Sequence, residues 1–382
     1  MTSELAFYVH IPYCVRRCGY CDFNTYTPSE LAISSDLSGV SRSYIDLLIQ
    51  EIELARATSD ATVVPTIFFG GGTPTLMEPI DLGRVISAIG DRFELAPNAE
   101  ITTEANPDTV TPAKLEQLRA AGINRISFGM QSAATHVLAA LDRTHNPDNV
   151  RAAVEGARAA GFDEVSVDLI YGAPGESLSD WEQTLDSALS LPISHISAYA
   201  LIVEQGTKLG AQVKRGEVVM PDDDETADKY VLADEKFLAA GFDWYELSNW
   251  SKPGSQCRHN MAYWNGDNWW GAGPGAHSHI DGRRFWNVKH PNAYKEKMAS
   301  TGNPMHEQEI LDPHAIKSEA TMLQIRLREG ISSDGLGAEV STKLRGYVDG
   351  GFLDPIAWKG GRVVLTRAGR LIADRIVREI LF

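Results

Sequence analysis

Through the first two thirds of the chain, short runs rich in Val, Ile, Phe and Tyr alternate with longer stretches whose apolar residues recur at helical spacing. The short runs read as β-strands at Leu5–Val9, Thr66–Phe69, Glu100–Glu104, Arg125–Met130, Glu164–Tyr171 and His195–Val203. The longer stretches read as amphipathic helices at Ser43–Ala57, Ile80–Phe93, Pro112–Ala121, Asn149–Ala160, Ser179–Leu189 and Asp224–Ala240, several closed by glycine. Six β/α repeats in this rhythm predict an α/β fold: a parallel sheet with helices outside, curled into a (β/α)6 barrel or partial barrel of TIM type.

In such a barrel the strand C-terminal ends and the loops after them carry the chemistry. The polar and glycine-rich features fall at that end. A cysteine-bearing loop follows the first run, Gly70-Gly71-Gly72-Thr73-Pro74 the second, Glu104-Ala105-Asn106-Pro107 the third and Gln131-Ser132 the fourth, while Asp168 lies inside the fifth.

Past about Tyr245 the texture changes. Six of the eight tryptophans (Trp244, Trp250, Trp264, Trp269, Trp270 and Trp286) are interleaved with Cys257, His259, His277, His279 and the glycine-rich 271–275. The expected organisation is therefore a core at 1–245 followed by a smaller, mostly helical C-terminal domain at 246–382. Within the latter, 246–290 forms an aromatic and histidine seam, and 340–382 a winged-helix-like tail. In that tail Gly361–Thr366 reads as a strand, and Thr366 caps one amphipathic helix from Arg367 to Leu381. The tail reads as a structural or docking module.

A hydrophobic content of 43% and a charged content of 23% are those of a soluble globular protein. The formal charge of −16 argues against a broad nucleic-acid or acidic-lipid surface, so no nucleic-acid partner and at most peripheral membrane contact are expected. The first residues lack the basic region and apolar core of a signal peptide, and no apolar run is long enough to span a bilayer. A cytoplasmic location is expected, where clustered thiols read as metal ligands and not as disulfides.

Three of the four cysteines, Cys14, Cys18 and Cys21, fall in the spacing CxxxCxxC. Three thiolates on a short loop can hold three irons of a 4Fe-4S cube and leave the fourth open. A structural zinc site would need a fourth ligand nearby, and Cys257 stands more than two hundred residues away. The loop resembles that of the radical S-adenosylmethionine superfamily. That resemblance implies a cluster whose open iron is chelated by the cosubstrate, and an electron donor to reduce it.

Further motifs narrow the resemblance. Tyr8-Val9-His10-Ile11-Pro12-Tyr13-Cys14, Phe69-Gly70-Gly71-Gly72-Thr73-Pro74-Thr75, Asn124 to Ser132, Asp168 to Gly172 and Tyr245 to Asn249 together resemble the oxygen-independent coproporphyrinogen III oxidase family. The resemblance runs from Tyr8 to at least Arg328. It implies cosubstrate contacts for Tyr8, Tyr20 on the adenine side, Gly70, Gly71, Gly72, Thr73, Glu104, Gln131, Arg143, Asp168 and Ala200. The three glycines are expected to let the backbone approach the methionine moiety. Glu104 and Asp168 suit ribose hydroxyls or an ammonium group, and Arg143 suits a carboxylate.

Two departures point away from the oxidases proper. Phe23 stands where they carry a fourth cysteine, and His259-Asn260-Met261-Ala262-Tyr263-Trp264 gives HNxxYW, which resembles the signature of their relatives, the haem chaperones. This resemblance implies haem as a ligand and apo-haem proteins as recipients. His259 reads either as an axial iron ligand or as a structural histidine in an aromatic seam, with Cys257 an alternative ligand. Oxidative decarboxylation of coproporphyrinogen III is the alternative activity, and the sequence leaves open whether the protein is an enzyme.

Overall fold

The computed structural model describes residues 3–34 and 38–381. Six parallel strands, β1 (Ala6–Ile11), β2 (Val63–Gly71), β3 (Glu94–Ala105), β4 (Arg125–Gln131), β5 (Glu164–Tyr171) and β6 (His195–Ala200), lie side by side in chain order. The helices between and after them are α1 (Ser38–Thr58), α2 (Pro79–Gly90), α3 (Pro112–Ala120), α4 (Thr135–Ala140), α5 (Pro147–Ala159), α6 (Leu178–Leu189), α7 (Lys208–Lys214) and α8 (Asp223–Ala239). Five of the six strands are longer than or equal to their sequence-predicted spans. The exception is the last, which stops at Ala200 where 203 was expected. β1 and β6 do not pair, so the sheet is an open partial barrel.

Each strand is two-faced because successive side chains point to opposite sides. Phe7 and Val9, Ile67 and Phe69, Ile126 and Phe128, Val165 and Val167, and Ile196 and Ala198 are fully buried in the core with the helices. Removing each large one from water is worth ~1.5–3 kcal/mol. The alternate positions are polar: Thr102 and Glu104 on β3, Arg125 and Ser127 on β4, Ser166 and Asp168 on β5, His195 and Ser197 on β6. These line a cavity inside the partial barrel, where a packed barrel would carry branched apolar residues.

The sheet does not end at residue 245. β7 (Asp243–Glu246) and β8 (Asn249–Ser251) add antiparallel strands beyond β6, while β9 (Trp269–Ala272) joins β1 in parallel. β10 (His277–Ile280), β11 (Arg283–Asn287) and β12 (Met305–Ile310) extend that edge antiparallel, giving twelve strands. Residues 246–310, expected in a mostly helical domain, thus contribute the end of β7 and five whole strands, β8–β12, to the central sheet. The polar and aromatic strands here carry no apolar alternation by which a sequence reading could find them.

Between β8 and β9, α9 (Arg258–Asn265) closes the bottom of the barrel. Glu100 accepts the backbone N–H groups of Arg258 (3.1 Å) and His259 (3.0 Å), a carboxylate at a helix N-terminus. Arg125 lies 3.7 Å from Glu100 and 3.5 Å from Glu164, and donates to the Ser255 carbonyl at 3.0 Å. α10 (Pro291–Thr301) and α11 (Pro313–Gln324) follow.

A second, smaller core gathers Ile325, Ile331, Leu344, Leu353, Val363, Leu365, Ile376 and Val377. It contains the short pair β13 (Ile331–Ser332) and β14 (Arg362–Val363) with α12 (Ala338–Asp349) and α13 (Pro355–Lys359). Thr366 caps a helix as expected, accepting the Gly369 N–H. That helix breaks, however, into α14 (Arg367–Leu371) and α15 (Ala373–Leu381). The two pieces serve different cores. Arg370 of α14 makes a two-pronged pair with Asp234 of α8, both contacts at 2.8 Å, under the Trp244 ring, whereas α15 packs into the small core.

Candidate functional site

A cavity of about 790 Å³ opens at the C-terminal ends of β1–β6 and runs down to α9. Tyr8, Cys14, Cys18, Tyr20, Cys21, Gly71, Gly72, Thr73, Glu104, Gln131, Arg143, Asp168, Ala200 and His259 all line it; Gly70 stands just behind the lining. The residues from Tyr8 to Ala200 are brought together because every loop after a parallel strand emerges on the same side, and α9 supplies His259 from below.

The cysteine loop leaves β1 and is held by backbone. Gly72 donates to the Ile11 carbonyl at 2.7 Å and Thr73 to Tyr13 at 2.8 Å, while Cys14 donates to Tyr26 at 3.0 Å. The three thiols are free. The Thr73 hydroxyl lies 3.9 Å from the Cys14 sulfur, and an Arg143 guanidinium N–H 3.6 Å from that of Cys18. Burial pushes the Cys14 thiol up to about 11, opposed in part by Thr73. Among the described residues no group of three His, Cys, Asp or Glu converges as a single-ion site does. A cube asks instead for one thiolate at each of three separate irons.

The glycine triplet is explained by protein atoms. A Cβ on Gly72 would overlap the Tyr13 carbonyl and lie 2.9 Å from that of Ile11. Gly71 has φ of +109°, and a Cβ there would run into the His10 ring; on Gly70 it would lie 2.9 Å from Phe68 and 3.1 Å from Tyr8. Protein atoms thus already require a residue without a Cβ at each position, and at Gly71 and Gly72 this seats the His10 ring and the cysteine loop against β2, while the same two residues also line the cavity.

His10 had no assigned role. Burial lowers its pKa, so the ring is neutral: Nε2–H donates to the Asn24 carbonyl at 2.8 Å and Nδ1 accepts the Tyr8 hydroxyl at 3.0 Å. This bond ties β1 to the cysteine loop. Its position in the Tyr8-to-Cys14 motif was the available signal.

Glu104 and Asp168 form the acidic wall. Burial, then repulsion from Asp168, raises the Glu104 carboxyl to about 8, and the Gly71 N–H, donating at 3.1 Å, only partly offsets this. Asp168 is raised by burial despite the Ser127 hydroxyl donating to it at 3.0 Å. Two buried carboxylates facing one cavity suit a cationic or hydroxyl-bearing ligand. Opposite them, Arg143 donates to the Gly129 carbonyl at 2.8 Å, and its buried Nε has no partner among the described residues. Gln131 sits at a β-bulge with φ of 63°, which turns its amide toward Arg143 above Gly129. This donor set fits the groups implied by the motifs: three thiols for irons, carboxylates for ammonium or ribose, a guanidinium and an amide for a carboxylate.

His259 lies at the cavity floor. Its Nδ1 is hydrogen-bonded to the Thr66 hydroxyl (2.7 Å) and its Nε2 to the Tyr263 hydroxyl (2.9 Å), and its ring stacks on Phe68. Burial lowers its pKa to about 3. Both nitrogens are committed, so iron ligation here would require one of these bonds to break. Asn260 donates to Glu246 at 3.1 Å, and Cys257 is buried beside Glu100. His277 and His279 lie away from the cavity, against Trp286 and Trp269.

Residues 8–188 match the Radical SAM superfamily. A protein named heme chaperone HemW from Mycobacterium tuberculosis is 48% identical over 98% of this chain and 94% of its own length. One of the same name from Bacillus subtilis is 32% identical over 98% of both. Among solved structures, coproporphyrinogen III oxidase (HemN) from Escherichia coli, described as a radical SAM enzyme, superposes with a TM-score of 0.84 at 22% identity, covering 99% of this chain and 90% of that one. That likeness carries the fold. On its motifs, its fold and these relatives, the chain belongs to the radical S-adenosylmethionine superfamily and, within it, to the HemW heme chaperone family.

Proposed function

We propose that this protein is a haem chaperone that holds a 4Fe-4S cluster and S-adenosylmethionine, binds haem and passes it to apo-haem proteins. The observation that carries the reading is the near-full-length similarity to proteins named heme chaperone, together with Phe23 in place of a fourth cysteine and the HNxxYW stretch. Cys14, Cys18 and Cys21 are the iron ligands. Glu104, Asp168, Gln131 and Arg143 orient the cosubstrate, with Tyr8, Tyr20 and Ala200 against its rings and the glycine loop fixing the cysteine loop. A reduced cluster of this kind supplies one electron at low potential to the bound cosubstrate. An external donor must provide that electron. A cytoplasmic site of action is consistent with the reading, and no helix among the described residues is long and apolar enough to cross a membrane. The division of the chain that best suits this reading is a core through β12 and an appended unit from about residue 311.

The test is to purify the protein without oxygen, rebuild the cluster, and offer haem and coproporphyrinogen III separately with S-adenosylmethionine and a reductant. Stoichiometric haem binding with no vinyl-bearing product is expected. Turnover to protoporphyrinogen would make it an oxidase.

A further inference from the structure

The mouth of the cavity is bordered by apolar side chains that stand uncovered among the described residues. Val15 and Phe23, on the cysteine loop, are 71% and 60% exposed, and Ile202, just past β6, is 68% exposed. All three line the entrance. β1 and β6 are the first and last of the six barrel strands, and the loops after them meet across the open side of the barrel, where the Leu209 N–H donates to the Gly19 carbonyl at 2.8 Å. Singly exposed apolar residues are ordinary; three around one opening are not.

Charge marks the same place. Arg16 and Lys208, one from each side, lie 3.4 and 2.7 Å from a single carboxylate, Asp142, and both side chains are more than half exposed. Two cations thus share one anion at the entrance of a chain whose formal charge is −16. Arg17 pairs with Glu30 at 3.4 Å, and Asp22 and Glu204 also line the opening, so the rim offers two local cationic contacts and not a net positive charge.

We infer that this rim is the docking place of a flat, apolar macrocycle with carboxylate arms, an iron porphyrin. One face of the ring lies across Phe23, Val15 and Ile202, and a carboxylate arm reaches Arg16 and Lys208. Phe23 offers the aromatic surface that stacking on such a ring uses. The inference rests on the haem reading above and moves the contact from the His259 floor, where both imidazole nitrogens are committed, to the mouth beside the cysteine loop. An anionic lipid surface shares part of this chemistry, but residues that frame a cavity favour a ligand small enough to enter it.

The test titrates haem into the anaerobically reconstituted protein and its Phe23→Ser, Ile202→Ser and Arg16→Glu variants, following the Soret band, with iron and sulfide content measured on each. Phe23 is two positions from Cys21, so Ile202→Ser carries the result if Phe23→Ser loses its cluster. Losing one large apolar contact should weaken haem binding by about tenfold or more. Wild-type affinity in both Ile202→Ser and Arg16→Glu would overturn the rim as the docking place and leave the haem reading standing. A wild-type protein that binds no haem would overturn both. Variants that keep haem but lose binding to phosphatidylglycerol vesicles would mark the rim as a lipid contact, which also overturns the inference.

Discussion

Replacing Glu104 by glutamine should move stability and ligand affinity in opposite directions. The folded protein keeps a proton on Glu104 up to about pH 8, whereas the ordinary value is 4.5, because burial and the neighbouring Asp168 disfavour the anion. Between those values the folded state binds more protons than the unfolded chain, so stability falls as the pH rises from 4.5 to about 8. At ~1.4 kcal/mol per pH unit the loss above pH 8 is at most ~5 kcal/mol. Glutamine keeps an oxygen for the Gly71 N–H and removes the charge, so it should recover ~2–4 kcal/mol at about pH 8.5 and next to nothing at about pH 5. Urea unfolding of both proteins without cosubstrate, at the two pH values, reads this directly. Calorimetry should show S-adenosylmethionine binding weakened by roughly tenfold to a hundredfold in the same variant, the ~1.5–3 kcal/mol of a charge-assisted hydrogen bond. A variant that is less stable than wild type at about pH 8.5 would mean that the carboxylate has a stabilising partner inside the protein. Unchanged cosubstrate affinity would remove Glu104 from the binding site.

Alanine at Cys14, Cys18 or Cys21 should abolish bound iron and sulfide, whereas Cys257→Ala should keep both; iron loss in the latter would point to a fully ligated cluster. Gly72→Ala should impair cluster incorporation without touching a thiol, because its Cβ meets the Tyr13 and Ile11 carbonyls that anchor the cysteine loop; normal iron content would refute that coupling. His259→Ala should lower stability by ~1–3 kcal/mol, the cost of unpaired buried groups at Thr66 and Tyr263, and leave the haem spectrum unchanged. A shifted Soret band would instead make it an iron ligand. Arg370→Met should cost ~1–3 kcal/mol, as read by thermal unfolding, because it removes two charge-assisted hydrogen bonds from buried Asp234 while Arg367 and Trp250 still pair with it.

Most of the parallel run was legible because its outward positions are apolar and its inward ones polar, an alternation that survives in sequence. Gly122, Gly161 and Gly241, all at positive φ, mark helix ends as read. The edge strands β9–β12 were not legible. Their residues are mostly aromatic, charged or polar, with few aliphatic positions, and they form strands because β1 offers a free edge that a distant segment completes. The role of α9 was equally hidden, since Thr66 and Glu100, which hold His259, lie more than 150 residues before it. HNxxYW could be recognised as a pattern, but only the fold shows that its histidine and asparagine are spent on the barrel floor. The glycine triplet was legible as a motif, but the protein atoms that crowd it, from His10, Ile11 and Tyr13 and, at Gly70, from Phe68 and Tyr8, are not adjacent in sequence and appear only in the fold. The tail helix was read as continuous because periodicity does not register that Arg370 and Ile376 answer to different cores.

Haem transfer tests the central claim most directly. Protein loaded with one haem is mixed anaerobically with an apo-haem protein, and the Soret band of the acceptor is followed against a control in which a haem scavenger replaces it. The account predicts that the acceptor gains haem and activity faster than the scavenger captures haem from the same donor. Equal rates would mean that haem merely dissociates and is picked up from solution, and this would contradict a chaperone function.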